Sequence, residues 1–202
     1  MIRIGVTGLM ASGKSTVSRR FEERGALRVD GDALGWETLG DPEIRDRIGA
    51  TFGSGVIGAE GAVDRARLGA IVFGDEAAMA RLNAIVQPSL LALVRRRLEE
   101  ADPGPGAVIV LDAAMLPSWQ LEPELDGVVE VTATEAVRIA RLRAARGYDE
   151  ATAARRVRGQ QLPPVGVARR LWRIENDGDF AALLRSADQA WGEIESLAAA
   201  SR

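Results

Sequence analysis

Residues 2–24 hold the feature that most restricts what this chain can fold into. A β-branched apolar run at 2–6 stops at Thr7, residues 8–15 read G-L-M-A-S-G-K-S, and a segment with Val17 and Phe21 four positions apart follows. Period and composition make this a strand, a glycine loop and a helix. Gly25 closes that helix, and a second short apolar run at 26–29 ends at Asp30-Gly31-Asp32. Two short strands joined by a helix form a βαβ unit, which commits the chain to a parallel sheet with helices on its faces.

The rest of the chain fits around that unit. Residues 33–100 read as helical, with breaks at Gly40-Asp41-Pro42 and in the glycine-rich stretch 53–61, and no strand stands out there. This block reads as an insertion able to form a substrate-binding subdomain. Asp102-Pro103-Gly104-Pro105-Gly106 is a strong breaker, after which the apolar run 107–111 suits a central parallel strand. Residues 128–131 form a further strand after Asp126-Gly127. Two arginine-rich helices at 134–146 and 149–160 meet near Gly147, Pro163-Pro164 interrupts, 172–175 is a last short strand, and 179–200 is a closing helix. Residues 53–58, G-S-G-V-I-G, match a dinucleotide fingerprint in letters, but they follow a helical pattern instead of a strand and read as a plain loop.

Gly8 and Gly13 bracket a loop whose backbone N–H groups can converge on phosphates, reinforced by the positive end of the following helix. In such a loop Lys14 reaches the β- and γ-phosphates of ATP, and the Ser15 hydroxyl helps to hold a bridging magnesium. Lys14 is the only lysine among 26 basic residues; the other 25 are arginine. Whatever bias favoured arginine spared the one position where a compact ammonium on a flexible stem is wanted.

Composition narrows the chemistry further. The chain has 202 residues, 47% hydrophobic and 27% charged, enough for one compound domain with an insertion or lid. With no cysteine, thiolate catalysis and cysteine-ligated zinc are excluded; with no histidine, a general base falls to a carboxylate or to one of the less usual choices. A metal is expected to be a hard ion held by oxygen. A net charge of -3 argues against nucleic acid as partner. Nothing near the N-terminus reads as a signal peptide and no stretch approaches the ~20 apolar residues of a membrane span, so a cytoplasmic chain without membrane or obligate protein partners is expected.

Beyond the loop, an ordered series of motifs resembles the dephospho-CoA kinase family. It runs from G-V-T-G-L-M-A-S-G-K-S-T through V-D-G-D at 29–32 and G-A-V-D-R at 61–65, with Leu68, Phe73, Leu82 and Pro88 at the family's spacing. Arg141, Arg146-Gly147 and Gln160 match its lid region, and Glu175-Asn176-Asp177-Gly178 its closing N-D-G. The resemblance implies an α/β fold, a three-layer P-loop NTPase-type parallel sheet with a helical substrate-binding insertion and a helical lid. The core then covers about 1–32, 105–135 and 170–202, the insertion about 33–104 and the lid about 136–169. It implies ATP and dephospho-CoA as substrates and magnesium as cofactor, with transfer of the γ-phosphate to the ribose 3′-hydroxyl. It places Gly8, Ala11, Ser12, Gly13, Lys14, Ser15, Thr16, Arg141 and Asn176 at ATP, and Asp32, Arg65 and Gln87 at the acceptor. Lys14, Asp32 and Arg146 are its catalytic set.

Several of these positions have a plainer alternative. Asp32 is either the base that accepts the ribose hydroxyl proton or an N-cap, and Asp30 either shares that work or holds a magnesium-bound water. Asp112 either ends its strand as a metal-side aspartate or caps a turn. Arg65 either meets a substrate phosphate or pairs with Asp64. Arg146 and Arg141 either close on the transferred phosphoryl or belong to a solvated helix face, the reading that suits Arg138, Arg143, Arg155, Arg156 and Arg158. The chain also departs from the family: Gln87-Pro88 replaces His-Pro, residues 113–117 (A-A-M-L-P) replace P-L-L-F-E, Gly166 falls where a lysine is usual, and Arg170-Leu171 replaces Ala-Asp. These changes leave open a kinase of the same fold with another small hydroxyl acceptor, such as a nucleoside or nucleotide, and a nucleotide-binding regulatory protein that has lost catalysis.

Overall fold

A computed structural model describes residues 1–101 and 104–200. The first two residues of the expected breaker, Asp102 and Pro103, lie outside the described residues. In chain order the elements are β1 (Ile2–Thr7), α1 (Lys14–Glu23), β2 (Leu27–Asp30), α2 (Gly31–Thr38), α3 (Pro42–Phe52), α4 (Arg65–Val72) and α5 (Glu76–Glu100). There follow β3 (Val108–Asp112), α6 (Leu116–Trp119), β4 (Gly127–Thr132), α7 (Glu135–Arg146), α8 (Glu150–Gly159), β5 (Leu171–Glu175) and α9 (Phe180–Ala200). The described structure divides into two compact units, Met1–Gly31 with Leu98–Arg202, and Asp32–Arg97.

The first unit is built on a parallel sheet with strand order β2-β3-β1-β4-β5. Because every strand runs the same way, the ends of β1, β2, β3, β4 and β5 share one edge, where α/β folds bind ligands. Alternation along the strands sends Ile2, Ile4, Val6, Val108, Val110, Val129, Val131 and Ile174 to one face. There they meet Val17 and Phe21 of α1 and Leu183, Ala187, Trp191 and Ile194 of α9. The Phe21 and Trp191 rings stack at a tilt, 5.4 Å apart, an arrangement worth ~0.5–1.5 kcal/mol beyond its buried area. Arg20 and Arg24 then pair with Asp188, fastening α1 to α9 across the rim of this core. On the other face Gly5 leaves room for Leu116 and Leu125, which a β-carbon would crowd. The result is the expected three-layer α/β arrangement.

Helices α7 and α8 pair around Leu142, Ala153 and Val157. Gly147, at φ +66°, ends α7, and Asp149 caps α8 by accepting from the Thr152 N–H at 2.7 Å. That hydrogen bond holds the Asp149 carboxyl below its ordinary pKa.

The second unit contains no regular strand among the described residues, only an isolated bridge between Ile57 and Val63. Its core joins Ile44, Ile48, Val56, Leu68, Val72, Ala78 and Ile85. Asp41 caps α3 by accepting from the Glu43 N–H at 2.8 Å, with Pro42 in the first helical position. The G-S-G-V-I-G run follows α3 as a 3₁₀ turn over Ser54–Val56, as its lack of a preceding strand predicts. One expectation needs correcting: α5 is long and apolar enough, by length and composition, to cross a membrane. Its sequence carries Asn83, Gln87 and Pro88 mid-helix, and Ala78, Ile85, Leu90 and Val94 along it are buried.

Candidate active site

The loop after β1 is shaped by two close approaches. A β-carbon on Gly8 would strike the Val131 carbonyl oxygen of β4, and one on Gly13 would strike the Asn176 side-chain amide. Gly13 also sits at φ +103°, where a side chain is strained. Ala11 adopts φ 63° without being glycine, a conformation that costs roughly 1–2 kcal/mol and turns the loop tightly between them.

This loop is clamped from outside. The Asn176 amide donates to the Ser12 carbonyl at 2.7 Å, and its own carbonyl accepts from Arg141 Nη2 at 3.1 Å. Arg141 Nη1 reaches the Ala11 carbonyl at 3.4 Å. Arg138 Nε donates to the Met10 carbonyl at 2.9 Å, while the Met10 N–H donates to Gln160 Oε1. Carbonyls of residues 10–12 are thus held by side chains of α7 and of the segment after β5, and the Ser12 N–H by the Leu9 carbonyl at 3.0 Å, which fixes the shape of the loop. The Ser12 hydroxyl is buried without a hydrogen-bond partner, a polar atom that an oxygen-rich ligand would satisfy.

At the start of α1, Lys14 is only 8% exposed and its ammonium donates to Asp112 Oδ1. Asp112, 1% exposed, ends β3 beside β1. Its other oxygen accepts from Arg28 Nε at 3.0 Å and Nη2 at 2.6 Å, and the same Nη2 donates to Asp30 Oδ2 at 3.0 Å. Burial works against the Arg28 charge, but the hydrogen bond to Asp112 and the nearby carboxylates prevail, and its pKa stands above the ordinary arginine value. The structure therefore joins Lys14, Asp112 and Asp30 through Arg28. Next to the loop, a cavity of about 210 Å³ is lined by Thr7, Gly8, Leu9, Glu130, Thr132 and Pro163, among others.

The remaining expected residues lie at the start of α1, at the end of α7 and in the second unit. Ser15 and Thr16 occupy the first turn of α1, with Ser15 exposed. Arg146 is exposed at the end of α7. In the second unit Asp32 lies exposed in the first turn of α2 and Gln87 half-buried in α5. Arg65 opens α4 and stacks over the Trp36 ring at 3.9 Å. Asp64 pairs instead with Arg67, at 3.2 Å, and caps α4.

Two residues escaped the sequence reading. Arg138, expected on a solvated face, is 6% exposed, and burial lowers its pKa while Glu135 acts the other way. The signal was its place one helical turn before Leu142, on the buried stripe. Arg28 was detectable as a charge within an apolar strand, two residues before Asp30 and hence on the same face. Arg143 and Arg158 do pair with exposed Glu150 and Glu135, as surface residues should.

A family model described as dephospho-CoA kinase matches residues 2–181. The chain belongs to the dephospho-CoA kinase family. A dephospho-CoA kinase from Leifsonia xyli subsp. xyli is 38% identical over 194 residues, covering 95% of this chain and 98% of that protein. The dephospho-CoA kinase of Thermobifida fusca (strain YX) is 35% identical over 197 residues, covering 96% and 97%. Among solved structures, TT1252 from Thermus thermophilus superposes with a TM-score of 0.75 at 28% identity, over 95% of this chain and 97% of that one. Membership of the dephospho-CoA kinase family makes the chain a kinase.

Proposed function

We propose that this kinase transfers the γ-phosphate of ATP to the ribose 3′-hydroxyl of dephospho-CoA, yielding CoA and ADP in the last step of coenzyme A synthesis. What supports it most is the clamped loop, with Lys14 seated beside Asp112 at the shared edge of the sheet. Converging N–H groups and the α1 terminus bind the phosphates, and Lys14 leaves Asp112 to neutralise charge between the β- and γ-phosphoryl groups. Asp32 accepts the proton of the attacking hydroxyl and aims its oxygen in line with the γ-phosphorus. Arg146, on a lid of about residues 136–169, approaches the phosphoryl group as charge develops, and lid closure keeps water out. Arg141 and Asn176 keep the loop in its binding shape. Arg65 and Gln87 hold the acceptor.

Magnesium fits the donor set here. No group of three carboxylates placed to hold a metal ion occurs among the described residues, so the ion would take Ser15 Oγ, waters held by Asp30 or Asp112, and phosphate oxygens, an all-oxygen shell suited to it. When bound it supplies neutralisation of the phosphate charge. The two oxygens of Asp112 already serve Lys14 and Arg28, which favours contact through water. A cytoplasmic location suits these soluble substrates.

The test is an acceptor panel with ATP and magnesium, with mass spectrometry locating the new phosphate. Transfer to dephospho-CoA at the 3′-oxygen is the expected result. Transfer to a nucleoside with none to dephospho-CoA would replace the acceptor, and nucleotide binding with no turnover on any acceptor would replace catalysis by a regulatory role.

A further inference from the structure

Arg28 has no part in the reaction as described, yet its guanidinium bonds two carboxylates at the site. In the parallel register Asp30 lies directly across from Asp112, which sets two carboxylates side by side at the ends of β2 and β3. Like charges so placed destabilise a sheet. Arg28 Nη2 touches both, at 3.0 and 2.6 Å. Asp112 is buried and shared, with Lys14 on one oxygen and Arg28 on the other.

That sharing matters because Lys14 has two jobs. It is ion-paired with Asp112 here, and phosphate binding requires the same ammonium. Removing the sole partner of a buried carboxylate is strongly unfavourable, so a one-to-one Lys14–Asp112 pair would resist giving up its lysine to ATP. A guanidinium that stays behind removes that resistance: it is always charged and holds the carboxylate through two N–H groups. We infer that Arg28 is the standing counter-ion of Asp112, a positioning residue that releases Lys14 from Asp112 to the phosphates of ATP. This rests on the loop being the ATP site.

The test compares wild type with R28M, R28K, D112N and R28M/D112N. A non-hydrolysable ATP analogue is titrated by calorimetry with chelator present, so that no metal bound through Asp112 contributes. R28M is expected to weaken binding about 10-fold or more, and R28K to recover most of it. In kinetics R28M raises the KM for ATP while the acceptor KM stays put, a split that simple loss of stability does not produce. In the D112N background the carboxylate that competes for Lys14 is gone, so adding R28M costs little further affinity. Equal affinity of R28M and wild type overturns the proposal. Should R28M not fold, the comparison of R28M/D112N with D112N decides it, and a large loss there overturns it too. Absence of analogue binding by folded wild type defeats the reading of the loop itself, a failure seen before any variant is compared.

Discussion

Lys14 and Arg65 are both cations assigned to phosphates, and their surroundings are opposite. Lys14 is buried beside Asp112 in a network whose loop is clamped at residues 10–12. Arg65 is exposed and lies on a Trp36 ring that is itself 48% exposed. The first cation is paired with a buried carboxylate beside a loop whose carbonyls are clamped, so the loop is shaped before substrate arrives and only the ammonium has to change partner. The second is held by a stacking contact worth only ~0.5–1 kcal/mol at an exposed site, and substrate can reposition it at little cost. In the proposed reaction, then, the donor side is rigid and the acceptor side adjustable.

The largest effect should come from Lys14→Ala, which is expected to lower kcat/KM for phosphoryl transfer by about 10³-fold or more. A loss under tenfold would mean that the buried network is not the donor site. Asp32→Asn is expected to lower kcat by about 10²-fold or more while ATP-analogue affinity by calorimetry holds. Full activity in that variant removes Asp32 from the mechanism. Next, Arg138→Ala and Arg65→Ala separate the two sides. Arg138→Ala leaves the Met10 carbonyl unheld and is expected to cost about 1–3 kcal/mol of stability in chemical denaturation and to raise the KM for ATP. Arg65→Ala is expected to leave stability within about 0.5 kcal/mol and to raise only the acceptor KM; parallel effects of both variants on ATP would erase the contrast.

The smallest effect concerns neither substrate. Arg20 and Arg24 hydrogen-bond Asp188 and push its pKa down to about 2, from an ordinary value of 3.8. A depressed carboxylate stabilises the fold above its unfolded value and loses that contribution as pH falls through the folded one. Asp188→Asn is therefore expected to lower the melting temperature slightly at pH 7, with the difference from wild type fading between about pH 4 and pH 2. A difference that persists unchanged at pH 2 would assign the loss to packing.

Much of this was legible because the relevant signals are local. The strand-loop-helix of residues 2–24 needs only apolar periodicity and glycine at turns, and β1, α1 and β2 lie within a residue or two of where those signals put them. Lys14 stood out by being the one lysine. The arginines were harder. Arg138, Arg143 and Arg158 share one basic stretch, yet the first is buried against Met10 and the others pair at the surface. Helical spacing alone does not say which side of α7 meets another element. Arg65 shows the same limit, since its neighbour Asp64 was the obvious partner in sequence and Trp36, 29 positions earlier, is the one in space.

By itself, then, the sequence determined the parallel α/β plan and the phosphate loop, because strand period, glycine placement and the helix that follows are properties of neighbouring residues. Tertiary structure alone decided which charges meet. Asp30 faces Asp112, and Arg28 bridges them, only because β2 and β3 pair in one register. The loop carbonyls find Arg138, Arg141 and Asn176 only because α7 and the end of β5 come to the edge where β1 stops. Charge pairing depends on distances between segments far apart in the chain, and those distances exist only after the core has set the elements in place.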